Sequence, residues 1–106
     1  MTKVAIASTG DSPEAVIDSR FGRCAFFAIY DTESKSIEYL PNTARDAEEG
    51  AGPAAVQLLA SRQVGKIVST EFGIKIKPLL DSLKIQMIVI KEHNKTIRQI
   101  IEMLNH

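Results

Sequence analysis

Ala25-Phe26-Phe27-Ala28-Ile29-Tyr30, then Asp31-Thr32-Glu33-Ser34-Lys35, then Ser36-Ile37-Glu38-Tyr39-Leu40: an apolar run, a polar break and an alternating run. The first run is rich in aromatic and β-branched residues. The break has turn composition. In the last run Ile37 and Tyr39 flank Glu38. Two strand-like runs joined by a short polar connection predict a hairpin, and so antiparallel pairing early in the chain.

Outward from this hairpin the pattern changes. Before it, Val4-Ala5-Ile6-Ala7 is a short apolar run ended by Thr9-Gly10-Asp11-Ser12-Pro13, the signature of a buried strand. After it, Pro41 to Gly52 is polar and acidic. Pro53 is expected to open a helix to about Gln63, because proline suits the first helical position. Ala55, Leu58, Leu59 and Arg62 keep the three-four spacing, and Gly65 is expected as a left-handed cap. Lys66 to Ser69 reads as a strand. A second helix is expected from roughly Ile74 to Leu83, with Pro78 starting or distorting it. Ile85 to Ile90 reads as a strand suited to burial on both faces. In the segment Thr96 to Leu104, Thr96 and Gln99 have capping-box spacing, and Ile97, Ile100, Ile101 and Leu104 form one apolar stripe.

The resulting order is β-β-β-α-β-α-β-α. The later strands alternate with helices, which predicts parallel pairing through right-handed crossovers. The expected fold is α/β: a mixed five-stranded sheet covered by about three helices. No internal repeat or linker divides the chain, so residues 1–106 are read as one domain.

Thirteen basic and thirteen acidic residues cancel, which gives no general attraction to nucleic acid or to an anionic membrane. A single cysteine excludes an internal disulfide framework and fits a reducing compartment. Met1-Thr2-Lys3 runs straight into a strand, without a signal-peptide pattern, and no apolar run approaches membrane-spanning length. A cytoplasmic location, with no membrane and no nucleic-acid partner, is expected.

The stretch with most chemistry is Arg20-Phe21-Gly22-Arg23-Cys24. Each guanidinium is a permanent cation with a rigid fork of donors. Gly22 permits a tight backbone, and Phe21 can anchor the loop in the core. Such a loop suits an anionic ligand. The alternative is that Asp11, Glu14 or Asp18 pairs with the arginines and merely closes a surface loop. Cys24 is either a soft metal ligand, its thiolate favoured by Arg23, or a small buried hydrophobe at a strand start. With one cysteine, neither a cluster held entirely by this chain's thiolates nor a Cys-rich zinc site is available.

Gly50-Ala51-Gly52-Pro53 leads into a helix N-terminus, where free N–H groups and the dipole favour an anion. It is neither a P-loop nor a dinucleotide fingerprint, and Glu48 or Glu49 would serve the same helix end as a complement. Glu71-Phe72-Gly73 follows the fourth strand, at the edge where ligands of parallel sheets bind. Ser8, Thr9 and Gly10 leave the first strand at that edge. Glu71 would repel an anion there. His93, in the polar connection Lys91 to Lys95, and His106 lack metal-motif spacing and read as solvated. No Ser–His–Asp arrangement or nucleophile elbow is present, and Lys3 to Ser8 carries no carboxylate for a two-metal nuclease. The chain is read as non-enzymatic.

Taken together, Val4 to Ala7, Ser19-Arg20-Phe21-Gly22-Arg23, Phe26 and Phe27, Asp31-Thr32, Asn42, Gly50-Ala51-Gly52, Ala55, Leu58-Leu59, Gly73 and Thr96 resemble the dinitrogenase iron–molybdenum cofactor biosynthesis family, the small NifX/NifB-type domain. The resemblance spans essentially the whole chain. It implies a ribonuclease H-like motif with sheet order 3-2-1-4-5 and strand 2 antiparallel. It also implies binding or carriage of an anionic metal–sulfur cluster, of iron–molybdenum or iron–sulfur type, or of its precursor. Cluster-assembly or acceptor proteins would be the partners. Arg20, Gly22, Arg23, Gly50, Gly52 and Gly73 are the expected binding residues, with Cys24 the candidate metal ligand. Glu71 and Ile74 depart from the family's usual pattern, which favours a smaller neutral residue and a proline there. The competing expectation is an interaction module of the same fold that binds no metal.

Overall fold

The structure, a computed structural model, describes residues 3–73 and 76–105. The readings made for Met1-Thr2, Ile74 and His106 lie outside the described residues. Five strands form one sheet: β1 Lys3–Ser8, β2 Phe26–Asp31, β3 Ile37–Pro41, β4 Val64–Ser69 and β5 Gln86–Val89. Their order is β3-β2-β1-β4-β5. β2 runs antiparallel to both β1 and β3, whereas β1, β4 and β5 are mutually parallel. This is the sheet that the resemblance implied.

The hairpin is closed by Asp31. Its carboxylate accepts the backbone N–H groups of Glu33 and Ser34 at 2.9 and 3.3 Å. These bonds, the Glu33 one first, hold the Asp31 carboxyl below its ordinary range. Lys35 turns back in the left-handed region at φ 60°, and Tyr30 then pairs with Ile37.

Three helices complete the fold: α1 Ala51–Ala60, α2 Lys77–Ser82 and α3 Ile97–Leu104. Side chains alternate across the sheet with period two. Ala5, Ala7, Phe27, Ile29 and Ile67 pack with α1 and α2 residues on one face. Val4, Ile6, Ala28, Tyr30 and Val68 pack with Ile97, Ile100 and Ile101 of α3 on the other. The capping box at the start of α3 is complete: Thr96 N–H donates to Gln99 Oε1 at 2.9 Å, and Gln99 N–H to Thr96 Oγ1 at 3.2 Å.

Three local expectations need correction. α1 begins at Ala51, so Pro53 is its third residue, not its first. The left-handed residue after α1 is Gln63 at φ 65°, while Gly65 already lies in β4. Two bonds, Arg62 N–H to Leu59 O and Gln63 N–H to Ala60 O, tighten the end of the helix and leave Gln63 to make the turn. β5 is not buried on both faces: it is an edge strand, and Val89 is 53% exposed. β1, at the centre of the order, and its neighbour β2 are the strands buried on both faces. In α2, Pro78 is the second residue, where a missing N–H is harmless.

Candidate functional site

The parallel strands β1, β4 and β5 end at one edge of the sheet, and the register Ser8↔Phe26↔Pro41 puts the start of β2 and the end of β3 there too. The edge therefore collects the segment before β2, the segment after β3 and the segment after β4. α1 runs from this edge back toward the start of β4, so its N-terminus belongs to the same edge. There an open cleft of about 1110 Å³ is lined by Ser19 to Arg23, Glu49 to Pro53, Glu71 to Gly73 and Ile76.

Six of the seven expected site residues meet in this lining: Arg20, Gly22, Arg23, Gly50, Gly52 and Gly73. Ser8 and Gly10 do not join them. The Ser8 hydroxyl donates to Gly10 O at 2.6 Å and is fully buried.

The arginine turn is a single 3₁₀ turn, Phe21–Arg23. Phe21 is buried and packs its ring on Phe27 at 5.5 Å and Phe72 at 5.6 Å between centroids. The anchoring role expected of Phe21 holds. Asn42, buried just past β3, clamps the turn from beneath. Its Nδ2 donates to Gly22 O at 3.1 Å and to Cys24 O at 2.9 Å, while its Oδ1 accepts Ala44 N–H at 3.1 Å. From above, Gly22 lies against the first turn of α1. A Cβ on Gly22 would sit 2.8 Å from both Cα and N of Gly52. Gly22 thus lets the two backbones touch, which fixes the cationic turn to the helix N-terminus, while a Cβ on Gly52 would instead meet Ile76 Cγ2 at 3.0 Å.

Both arginines are exposed and each keeps one internal tether. Arg20 donates through Nε and Nη2 to the two carboxylate oxygens of Asp18, each at 3.3 Å. Asp18 is 5% exposed and Arg20 64% exposed in their side chains. Of the acids named for this pairing only Asp18 takes it, since Glu14 pairs with Arg98. The bond to Asp18 raises the Arg20 pKa further, so Arg20 is a fixed cation. Arg23 donates through Nη1 to Arg45 O at 2.7 Å and Ala47 O at 2.5 Å. Its Nε and Nη2 are not engaged in these bonds.

α1 opens on Gly50 at φ 73°, with no side-chain cap and no acidic residue in its first turn. The expected complement from Glu48 or Glu49 takes no capping form. Glu49 and Glu71 line the cleft instead, and neither carboxylate has a hydrogen-bond or ion-pair partner among the described residues.

Cys24 lies outside the cleft. It is fully buried, its thiol donates to Phe21 O at 3.3 Å, and it packs within the core cluster of α1 and α2. Burial first, and the Asp18 charge next, push its pKa up to about 12. The expectation that Arg23 would favour a thiolate is therefore corrected, because the Arg23 fork turns away to the carbonyls of the following loop. His93 is exposed. Among the described residues no group of three or more His, Cys, Asp or Glu side chains gathers to hold a metal ion.

Sequence reasoning missed Asn42 as the clamp and Phe72 as the second aromatic support. Asn42 acts across a separation of 20 residues, which no local pattern reveals. Its signals are a polar amide placed directly after a strand and its place among the residues that carry the family resemblance, neither of which names its partners.

A family model described as dinitrogenase iron-molybdenum cofactor matches residues 2–106. The chain is similar to the orange protein of Desulfovibrio gigas, solved in its apo form, at 28% identity and a TM-score of 0.90, covering 99% of this chain and 88% of that one. A candidate NifB protein from Thermotoga, solved by NMR, is 31% identical, with a TM-score of 0.83 over 99% of this chain and 88% of that one. A candidate dinitrogenase from Methanocaldococcus jannaschii shares the fold at 21% identity, with a TM-score of 0.60 over 94% and 88% of the two chains. No curated protein sequence matches the chain.

Proposed function

This chain belongs to the dinitrogenase iron-molybdenum cofactor family, and on that premise we propose that its cleft takes up and carries an anionic metal–sulfur cluster, or a precursor of one, without catalysing a reaction on it. The observation that carries the reading is the convergence of the Arg20–Arg23 turn, the uncapped N-terminus of α1 and Gly73 on one open cleft. Sulfide atoms of such a cluster are negative and accept hydrogen bonds. Arg20 and Arg23 offer permanent charge with directed N–H groups. The first backbone amides of α1 add donors and the positive end of its dipole.

The donor set fits an anion held by hydrogen bonds. It does not fit a metal held by protein ligands, given the absence of a His/Cys/Asp/Glu group among the described residues and the burial of Cys24. The cargo would keep its own sulfur ligands and be exchanged whole with cluster-assembly or acceptor proteins. That Asp18 and two carbonyls already tether the arginines supports a ready-made cradle, since the guanidinium groups are positioned before cargo arrives.

Anaerobic incubation with tetrathiomolybdate or a preformed iron–sulfur species, followed by gel filtration, tests this. The chromophore should co-elute with the wild type and with Cys24→Ser. The double variant Arg20→Ala, Arg23→Ala should retain it at least about tenfold less, the equivalent of one lost charged hydrogen bond. Equal, weak retention by wild type and the double variant would sink the proposal.

A further inference from the structure

The lining has a second pair of charges that the cradle does not need. Glu49 enters the cleft from the loop before α1 and Glu71 from the segment after β4, both exposed. Neither has a partner among the described residues, whereas Arg20 is paired with Asp18 and Arg23 is hydrogen-bonded to two neutral carbonyls that leave its charge in place. The cleft lining therefore holds two arginines and two carboxylates that have no partner among the described residues, together with an uncapped helix N-terminus. A cleft evolved to hold an anion tightly would leave its cations unopposed. An ionised carboxylate only accepts hydrogen bonds, so it has nothing to offer a sulfide surface except repulsion.

We infer that Glu49 and Glu71 are specificity-determining residues that set how loosely the cleft holds its anionic cargo, keeping uptake reversible and favouring low-charge anions over highly charged ones. This rests on the cleft being the cargo site. The two acids arrive from different segments, one before α1 and one after β4. Their effect scales with the cargo's charge, because each carboxylate acts on it through Coulomb repulsion in partly solvated space. For a dianion near a single exposed carboxylate the effect is about three- to tenfold in the dissociation constant.

Equilibrium dialysis of the full chain with tetrathiomolybdate, under anaerobic conditions, compares wild type with E49Q, E71Q, E49Q/E71Q and R20A/R23A. Glutamine keeps the size and removes the charge. Each single variant should bind about three- to tenfold more tightly and the double variant more tightly still, with slower release. An unchanged constant in E49Q/E71Q, while R20A/R23A abolishes uptake, overturns this inference and leaves the cargo site standing. Uptake that is absent from all five proteins overturns the cargo site and this inference with it.

Discussion

Gly22 has no room for a side chain. A methyl group there meets Gly52 backbone at 2.8 Å, and backbone cannot swing aside as a flexible side chain would. Gly22→Ala is expected to lower stability by about 1–3 kcal/mol, the range for overpacking, and to push the arginine turn away from α1. Gly73→Ala is the contrast: a Cβ there meets nothing within 4 Å, and its effect should stay within about 0.5 kcal/mol. Urea titration of both variants measures the difference. Cys24 yields a prediction with a definite sign. Its thiol titrates near 9.0 when unfolded and about 12 when folded. Between those values the unfolded chain loses a proton that the folded chain keeps, so the linkage slope is negative and stability falls as pH rises. Below about 9 the contribution is absent. Wild type should therefore lose stability relative to Cys24→Ala from pH 9 upward, by at most about 1.4 kcal/mol per pH unit. Parallel stability curves for the two proteins between pH 8 and 11 would contradict the buried neutral thiol.

At the scale of elements, what could be read from sequence is what local physics decides. The hairpin at Asp31 and the capping box at Thr96 each depend on residues two or three apart, and both appear as expected. Thr96→Ala removes the acceptor for Gln99 N–H and should cost about 1 kcal/mol, seen as a lower thermal midpoint with unchanged spectra. What could not be read depends on neighbours remote in sequence. The apolar composition of Ile85 to Ile90 says nothing about whether another strand lies outside it, and β5 proves to be an edge. Gly65 was the obvious turn residue after α1, yet the chain turns at Gln63 because β4 already pairs from Val64. The site divides in the same way. That the arginine turn, Gly50 to Gly52 and Gly73 reach one sheet edge follows from strand direction, read from the hairpin and from the alternation of helix and strand; that they line the cleft while Ser8 and Gly10 do not is tertiary. The fate of Cys24 depends on where Asn42 and the Phe21 carbonyl lie, and that is tertiary information.

For the whole molecule, the cleft sits on loops at one edge while the most protected structure lies in the middle. β1 is almost wholly buried and hydrogen-bonded on both sides by β2 and β4, so its amides should exchange with solvent only on global opening. β3 and β5, as edges, should exchange sooner. Cargo would not change this hierarchy, because no strand contributes its interior to the cleft. It would change the edge. The first amides of α1, at Ala51 and Gly52, have no hydrogen-bond acceptor among the described residues, so an anion in the cleft would give them one. Loading with tetrathiomolybdate should therefore slow exchange in the peptides covering residues 19–23, 49–54 and 71–73, while β1 remains unchanged. Protection spread evenly over the molecule would mean general stabilisation by mass action, and protection confined to another surface would place the cargo elsewhere. Only the local pattern joins the arginine turn, the helix N-terminus and the segment after β4 into one binding surface.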